Sequence, residues 1–129
     1  MNTENTQRLL SDFPRLYRSL YIDSWRHDRS TLVATFGFEC GDGWANLIYR
    51  LSAALTEHAG QAGLDCVASQ VKEKFGTLRF YVDGTDDVAQ RLIDAAEGES
   101  ATICEICGAP ARLFTAGWHV TRCGAHKAT

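Results

Sequence analysis

Leu64-Asp-Cys-Val-Ala-Ser-Gln-Val-Lys-Glu-Lys74, then Phe75-Gly76, then Thr77-Leu-Arg-Phe-Tyr-Val-Asp83 is the stretch that sets the frame of this chain. Two runs with strand-forming residues, joined at Phe75-Gly76, predict an antiparallel hairpin. Side chains alternate across a strand. Val67 and Val71 should therefore share a face with Leu78, Phe80 and Val82, and the opposite face should carry Gln70, Lys72, Lys74, Arg79 and Tyr81.

Helical signals flank the hairpin. Upstream, Gly41-Asp42-Gly43-Trp44 makes a turn in which Asp42 is placed to cap the next helix. In that helix Trp44, Leu47, Ile48, Leu51, Leu55 and His58 fall on one face, and Gly60 and Gly63 should end it. Downstream, Thr85 is the expected cap of a further helix, with Asp86 and Asp87 in its first turn, where the helix dipole favours negative charge. Its apolar stripe reads Val88, Leu92, Ile93 and Ala96. Nearer the N-terminus, Leu9, Leu10, Phe13, Leu16, Tyr17, Leu20 and Tyr21 recur at helical spacing, interrupted by Pro14. Because proline is tolerated in a first helical turn, Ser11 or Asp12 should restart that helix. Thr31 to Phe38 reads as extended chain.

The last segment carries the chemistry. Cys104-Glu-Ile-Cys107, fifteen residues, then Cys123-Gly-Ala-His126 is a C-x2-C…C-x2-H arrangement. Zinc is held tetrahedrally by thiolate and imidazole, and each short pair lets two ligands from one tight turn reach one ion. With four protein ligands the site reads as structural and closed. The competing readings are two unrelated cysteine pairs, or a Cys104–Cys107 redox pair, which would need a strand-to-helix setting that is not visible here. His119 is the alternative fourth ligand, although His126 better mirrors the first pair. A hairpin across Arg112–Arg122 should connect the two halves. The expected fold is therefore α+β, with helices packed on a small antiparallel hairpin sheet. Residues 1–100 would form the core domain and 101–129 a zinc ribbon or treble-clef-like tail packed on it. So short a tail cannot bury enough apolar surface alone, which is the usual reason for a structural metal.

Composition bounds the rest. The chain has 129 residues, 45% of them hydrophobic and 22% charged, which suits one domain or a domain with a small appendage. No apolar run approaches the roughly 20 residues of a membrane span, and the polar start Met1-Asn-Thr-Glu is not a secretory signal. Cys40 and Cys66 read as small buried apolar residues, and the unpaired thiols point to a reducing cytoplasm. A net charge of −3 argues against bulk attraction to polyanions. The distribution is uneven, with Asp86, Asp87, Asp94, Glu97 and Glu99 along one helix, and Arg112, Arg122 and Lys127 in the tail.

Two groups are candidate partner contacts: Lys72, Lys74, Arg79 and Tyr81 on the hairpin face, and Arg112, Trp118 and Arg122 in the tail. The hairpin group reads somewhat better as a solvated sheet face than as a contact. Gly41-Asp42-Gly43-Trp44, with Glu39 nearby, could present carboxylates to a partner but reads better as a helix start. No phosphate loop, nucleophile elbow, metalloprotease helix or zinc-deaminase signature is present, so the sequence makes no positive case for an enzyme.

Gly37-Phe-Glu-Cys-Gly-Asp-Gly-Trp44, Val71-Lys-Glu-Lys-Phe-Gly-Thr-Leu-Arg-Phe-Tyr81 and the Cys104–His126 motif, taken together, resemble a group of small uncharacterised proteins of bacteria, their phages and mobile elements. The resemblance covers about residues 37 to 126 and implies context without mechanism: an inhibitor, an immunity or antitoxin protein, an anti-defence factor or a small regulator. The expectation is a non-enzymatic, zinc-stabilised protein that binds another protein. The alternatives are a nucleic-acid-binding regulator using the tail, and a small hydrolase.

Overall fold

A computed structural model of the chain describes residues 1–19 and 37–127. Its elements run α1 (Thr3–Asp12), β1 (Phe38–Glu39), a turn of 3-10 helix (Asp42–Trp44), α2 (Ala45–Ala62), β2 (Val67–Lys74), β3 (Thr77–Asp83), α3 (Asp87–Ser100), β4 (Arg112–Phe114) and β5 (Val120–Arg122). The class is α+β. Leu20, Tyr21, Trp25, His27 and the extended stretch expected from Thr31 to residue 36 lie outside the described residues.

β2 and β3 form the expected hairpin, with Lys72 opposite Arg79 and Gln70 opposite Tyr81. Phe75 and Gly76 at its tip have φ of 53° and 85°, the doubly left-handed turn whose twist suits a two-residue hairpin. The sheet is mixed, however, because β1 adds to β2 in parallel. A parallel neighbour needs a crossover, and here α2 provides it. β4 and β5 pair antiparallel as a separate ribbon, with Arg112 opposite Arg122.

The core face differs from the expected one by a single residue. The register slips between Ala68 and Gln70. This bulge resets the alternation, so Ala68 joins Val71, Leu78 and Phe80 in the core while Val67 is half-buried. Against this face pack Trp44, Leu47, Ile48, Leu51 and Leu55, with Ala89, Ile93 and Ala96 of α3 and Leu9, Phe13, Leu16 and Tyr17 of the N-terminal segment. Ser52 is buried among them because it donates to the Ile48 carbonyl at 2.7 Å and takes the Tyr17 hydroxyl at 2.7 Å. α3 also covers β3 along its outer edge: the Leu78 N–H donates to Ser100 Oγ and the Phe80 N–H to Glu97 Oε2, each at 2.9 Å.

Helix boundaries correct several expectations. Asn2 caps α1 by accepting from the Asn5 N–H at 2.8 Å, and Ser11 and Asp12 are its last residues and restart nothing. The residue before a proline avoids the helical region, and Phe13 leaves it at φ −128°. Asp42 does not cap α2, which starts behind Trp44 with no side-chain cap. Its carboxylate accepts instead from the Asn2 N–H at 2.7 Å and Asn5 Nδ2 at 3.1 Å, tying the N-terminal helix down. Gly60 lies within α2, and Gly63 at φ 70° ends it. Asp86, not Thr85, caps α3 by accepting from the Ala89 N–H at 2.8 Å. The buried stripe of α3 is Ala89, Ile93, Ala96 and Ser100, leaving Val88 exposed and Leu92 half-buried. Among the described residues no helix is long and apolar enough to cross a membrane.

Candidate metal centre

The backbone after α3 curls before any metal is considered. The Gly108 N–H donates to the Cys104 carbonyl and the Cys104 N–H to the Ala109 carbonyl, each at 2.8 Å. Gly108 sits at φ 81°, where a side chain would be strained. This turn presents Cys104 and Cys107 together. The β4–β5 ribbon then returns the chain so that Cys123 follows β5 directly. A further turn, closed by the His126 N–H on the Cys123 carbonyl at 3.1 Å, brings in His126.

The four ligand atoms lie within 4.8 Å of one another. Cys104 Sγ is 3.7 Å and Cys123 Sγ 3.2 Å from His126 Nδ1, and the Cys107 and Cys123 sulfurs are 3.6 Å apart. Metal–sulfur bonds of about 2.3 Å and metal–nitrogen bonds of about 2.05 Å give tetrahedron edges of about 3.8 and 3.6 Å. The donor set therefore fits one tetrahedral ion. Cys104 and Cys123 are buried and Cys107 is exposed. Burial pushes the Cys104 thiol up, but the N–H groups of Cys123, Cys107 and Ile106 outweigh it and bring it down to about 6. At Cys107 the Ala109 N–H pulls down, and burial with the neighbouring Cys123 and Cys104 thiols pushes up harder. His126 is in the cluster. His119 is not, and its ring stands edge-on to Phe75 with centroids 6.2 Å apart.

The centre is fastened to the core in two places. At the first, the Gly41 N–H donates to Glu105 Oε2 at 2.9 Å, the Gly43 N–H to the Glu105 carbonyl at 2.8 Å, and Trp44 Nε1 to the Ile103 carbonyl at 2.8 Å. A Cβ on Gly43 would overlap the Cys104 carbonyl, and one on Gly41 the Glu105 carbonyl. Gly41-Asp42-Gly43-Trp44 is thus a cradle for the Cys104–Cys107 turn. At the second, Thr121 Oγ1 donates to the Gly76 carbonyl at 2.6 Å in a buried contact, and a Cβ on Gly76 would strike Leu113 and His119. Glu105 links the two places. Its own N–H donates to the Thr121 carbonyl at 3.1 Å, and Oε1 accepts from Arg122 Nη1 at 3.3 Å in an ion pair whose side chains are each 14% exposed.

The expected partner residues divide. Lys72 and Arg79 stand opposite each other on the hairpin and both are half-buried, with Arg79 Nε withdrawn from solvent. Lys74 reaches over the Phe75 ring, its ammonium 5.5 Å from the centroid, and Arg112 stacks over Phe114 at 4.6 Å. Tyr81 and Trp118 are exposed, Trp118 at 84%. Arg122 is withdrawn into its pair with Glu105, so it is a fastener rather than an open contact. Phe75 was missed: it is 63% exposed in a left-handed turn. A phenylalanine at the tip of a two-residue hairpin, where glycine or asparagine is cheaper, is the sequence signal that could have found it.

Three acids of the run along α3 are engaged within the fold, while Asp87 and Asp94 stay exposed. Asp86 caps the helix and lies 2.9 Å from His58 Nε2 through each oxygen, Glu97 takes the Phe80 N–H, and Glu99 pairs with Arg50. His58 thus has a partner that sequence did not supply. Cys40 and Cys66 are buried as expected, burial first and then the Glu105 charge pushing Cys40 up to about 12. Comparison with protein families, with curated proteins and with solved structures finds no match to the chain.

Proposed function

We propose that Cys104, Cys107, Cys123 and His126 hold a structural Zn2+ in a ribbon or treble-clef-like tail, and that the chain is a non-enzymatic binder of another protein. Its sharpest form is an inhibitor, an immunity protein or an anti-defence factor. Thiolates with imidazole select zinc over the hard cations. Side chains supply all four corners of the tetrahedron, which leaves the ion to hold the tail rather than to activate water. The thiolates suit a reducing cytoplasm. The observation that carries the binding role is the exposure of Trp118 at 84% and Phe75 at 63% beside the fastened ribbon, since exposed aromatics on a rigid support are the usual anchors of interfaces. The resemblance of residues 37 to 126 to small phage and mobile-element proteins supplies the context.

The test is metal analysis of the purified chain, followed by a nuclease-treated pull-down of the tagged protein from a bacterial lysate. One zinc per chain and one protein recovered in near-equal amount support the reading; no protein partner sinks it. A second reading, a nucleic-acid-binding regulator, draws support from the cations of Lys74 and Arg112 beside aromatic rings. Nucleic acid retained without nuclease, and released steeply by salt, would select it.

A further inference from the structure

We infer that Cys107 is a modification site: a small hydroperoxide oxidises it, Cys123 resolves the product as a disulfide, and the metal leaves. This rests on the zinc reading and adds to it a way of unloading the ion.

Access singles out the residue. Cys104 and Cys123 are buried and Cys107 is exposed, so one sulfur of the cluster meets solvent. A thiolate is at once the metal ligand and the nucleophile, and its susceptibility to oxidation follows its exposure. Cys40 and Cys66 are both buried and stand apart from this chemistry.

The approach to Cys107 is open and polar. The residue lines a cavity of about 320 Å³ together with Asn5, Asn46, Arg50, Ile103 and Gly108. A water takes roughly 30 Å³ in the liquid, so a peroxide has ample room. Two amides and a guanidinium in the wall offer hydrogen-bond donors to the oxygen that departs.

The resolving thiol is in place. Cys123 Sγ lies 3.6 Å from Cys107 Sγ. Bonded sulfurs are about 2.05 Å apart, so the pair must close by about 1.5 Å once the ion no longer separates them. The two residues sit on turns at either end of the β4–β5 ribbon, and side-chain rotation suffices for so small a shift.

The step balances without a further reactant. The Cys107 thiolate attacks one peroxide oxygen, the O–O bond breaks, and a sulfenic acid and a hydroxide form. The Cys123 thiolate then attacks the sulfenic sulfur and expels a second hydroxide as the disulfide closes. Two electrons pass from the sulfurs to the peroxide, and two solvent protons convert both hydroxides to water. Cys104 and His126 remain, too few ligands to hold a structural zinc. The Cys104 turn then loses its staple. That turn packs its carbonyl on Gly43, and the Ile103 carbonyl before it accepts from Trp44 Nε1 at 2.8 Å, so the change reaches the core.

The experiment loads the full chain with zinc, verifies the load by metal analysis, and adds hydrogen peroxide in steps while a zinc-sensitive dye and tryptophan fluorescence are followed. About one zinc should be released per peroxide consumed, as a two-electron oxidation of the pair requires. Peptide mapping should find a Cys107–Cys123 disulfide with Cys40, Cys66 and Cys104 reduced, and dithiothreitol with zinc should restore the loaded chain. Cys107→His offers an imidazole ligand without an accessible sulfur, so its release should be slower by about tenfold or more. If that variant does not load, mapping of the wild-type chain decides alone. Zinc retained after peroxide, with all cysteines free, overturns the inference and leaves the structural-zinc reading standing. A Cys104–Cys107 disulfide, or release with no disulfide, overturns it as well. A chain that takes up no zinc removes the metal reading and this site together.

Discussion

Gly43 packs its α-carbon against the carbonyl of Cys104, so closely that the hydrogen it carries there could not be exchanged for a methyl group. The first turn of the α2 segment and the first turn of the metal centre are thus one interlocked unit, joined again by the Gly43 N–H on the Glu105 carbonyl at 2.8 Å. Gly43→Ala should destabilise the protein by about 1–3 kcal/mol, the usual cost of overpacking a site that cannot relax. Urea unfolding with metal held in excess measures it. A midpoint equal to wild type would mean that the two turns separate freely.

Removal of one ligand should dismantle the tail. Structural zinc sites carry about 10–16 kcal/mol of apparent binding free energy at neutral pH, much of it folding free energy. Cys107→Ser or Cys123→Ser should lose the ion, free the Ile103 carbonyl from Trp44 Nε1 and so change the Trp44 fluorescence. His119→Ala should keep full zinc, because His119 stands outside the cluster. Zinc retained by Cys123→Ser would strike that residue from the ligand set.

Phe75→Asn should raise stability by about 1 kcal/mol, because asparagine occupies the left-handed region at lower cost than phenylalanine. The exposed ring contributes too little burial to offset this. Thermal unfolding reads the change, and a lowered midpoint would show that the ring's contacts with His119 and Lys74 outweigh the backbone.

Acid should weaken the fold through its engaged carboxylates. The Arg18 guanidinium first, then Arg15, holds Asp65 below the usual carboxylate range. The Asn2 N–H does so for Asp42 and the Ala89 N–H for Asp86. A carboxylate with a lowered folded value binds fewer protons folded than unfolded. Its contribution is therefore complete above the unfolded value of about 3.9 and lost as pH falls through the folded one. Protons also compete for the thiolates, so the informative quantity is the stability gap between wild type and Asp65→Asn. That gap should be constant from neutral pH to about 5 and should close below about 4. A gap that persists at pH 2 would assign the effect of the substitution to something other than charge.

The Cys104, Cys107, Cys123 and His126 cluster was legible because its pattern is local: two Cys/His residues per turn, separated by a ribbon, leave a spacing that any reader of the chain can count. The β2–β3 hairpin was legible for the same reason. What escaped was whatever depended on a distant residue or on a single insertion. Asp42 looked like the cap of α2 and Asp86 like a first-turn charge behind Thr85, and only the fold shows that Asp42 serves a helix some forty residues earlier while Asp86 caps α3 and holds His58. The bulge between Ala68 and Gln70 leaves no compositional trace, yet it exchanges Val67 for Ala68 in the core. β1 is two residues long, too short to show a period. Nothing in the sequence around Glu105 marks it out; its carboxylate binds Gly41 and Arg122 at once, and neither is near it in sequence.

An uncovered strand is an invitation to polymerise: a neighbouring copy can lay its own backbone alongside and begin a fibre. On β3 that invitation is withdrawn by two side chains of α3, Ser100 and Glu97, which occupy the N–H groups of Leu78 and Phe80. Crowding many copies together in a cell therefore does not template growth along this margin. Whatever the chain recognises there must be met through side chains, not through borrowed main chain.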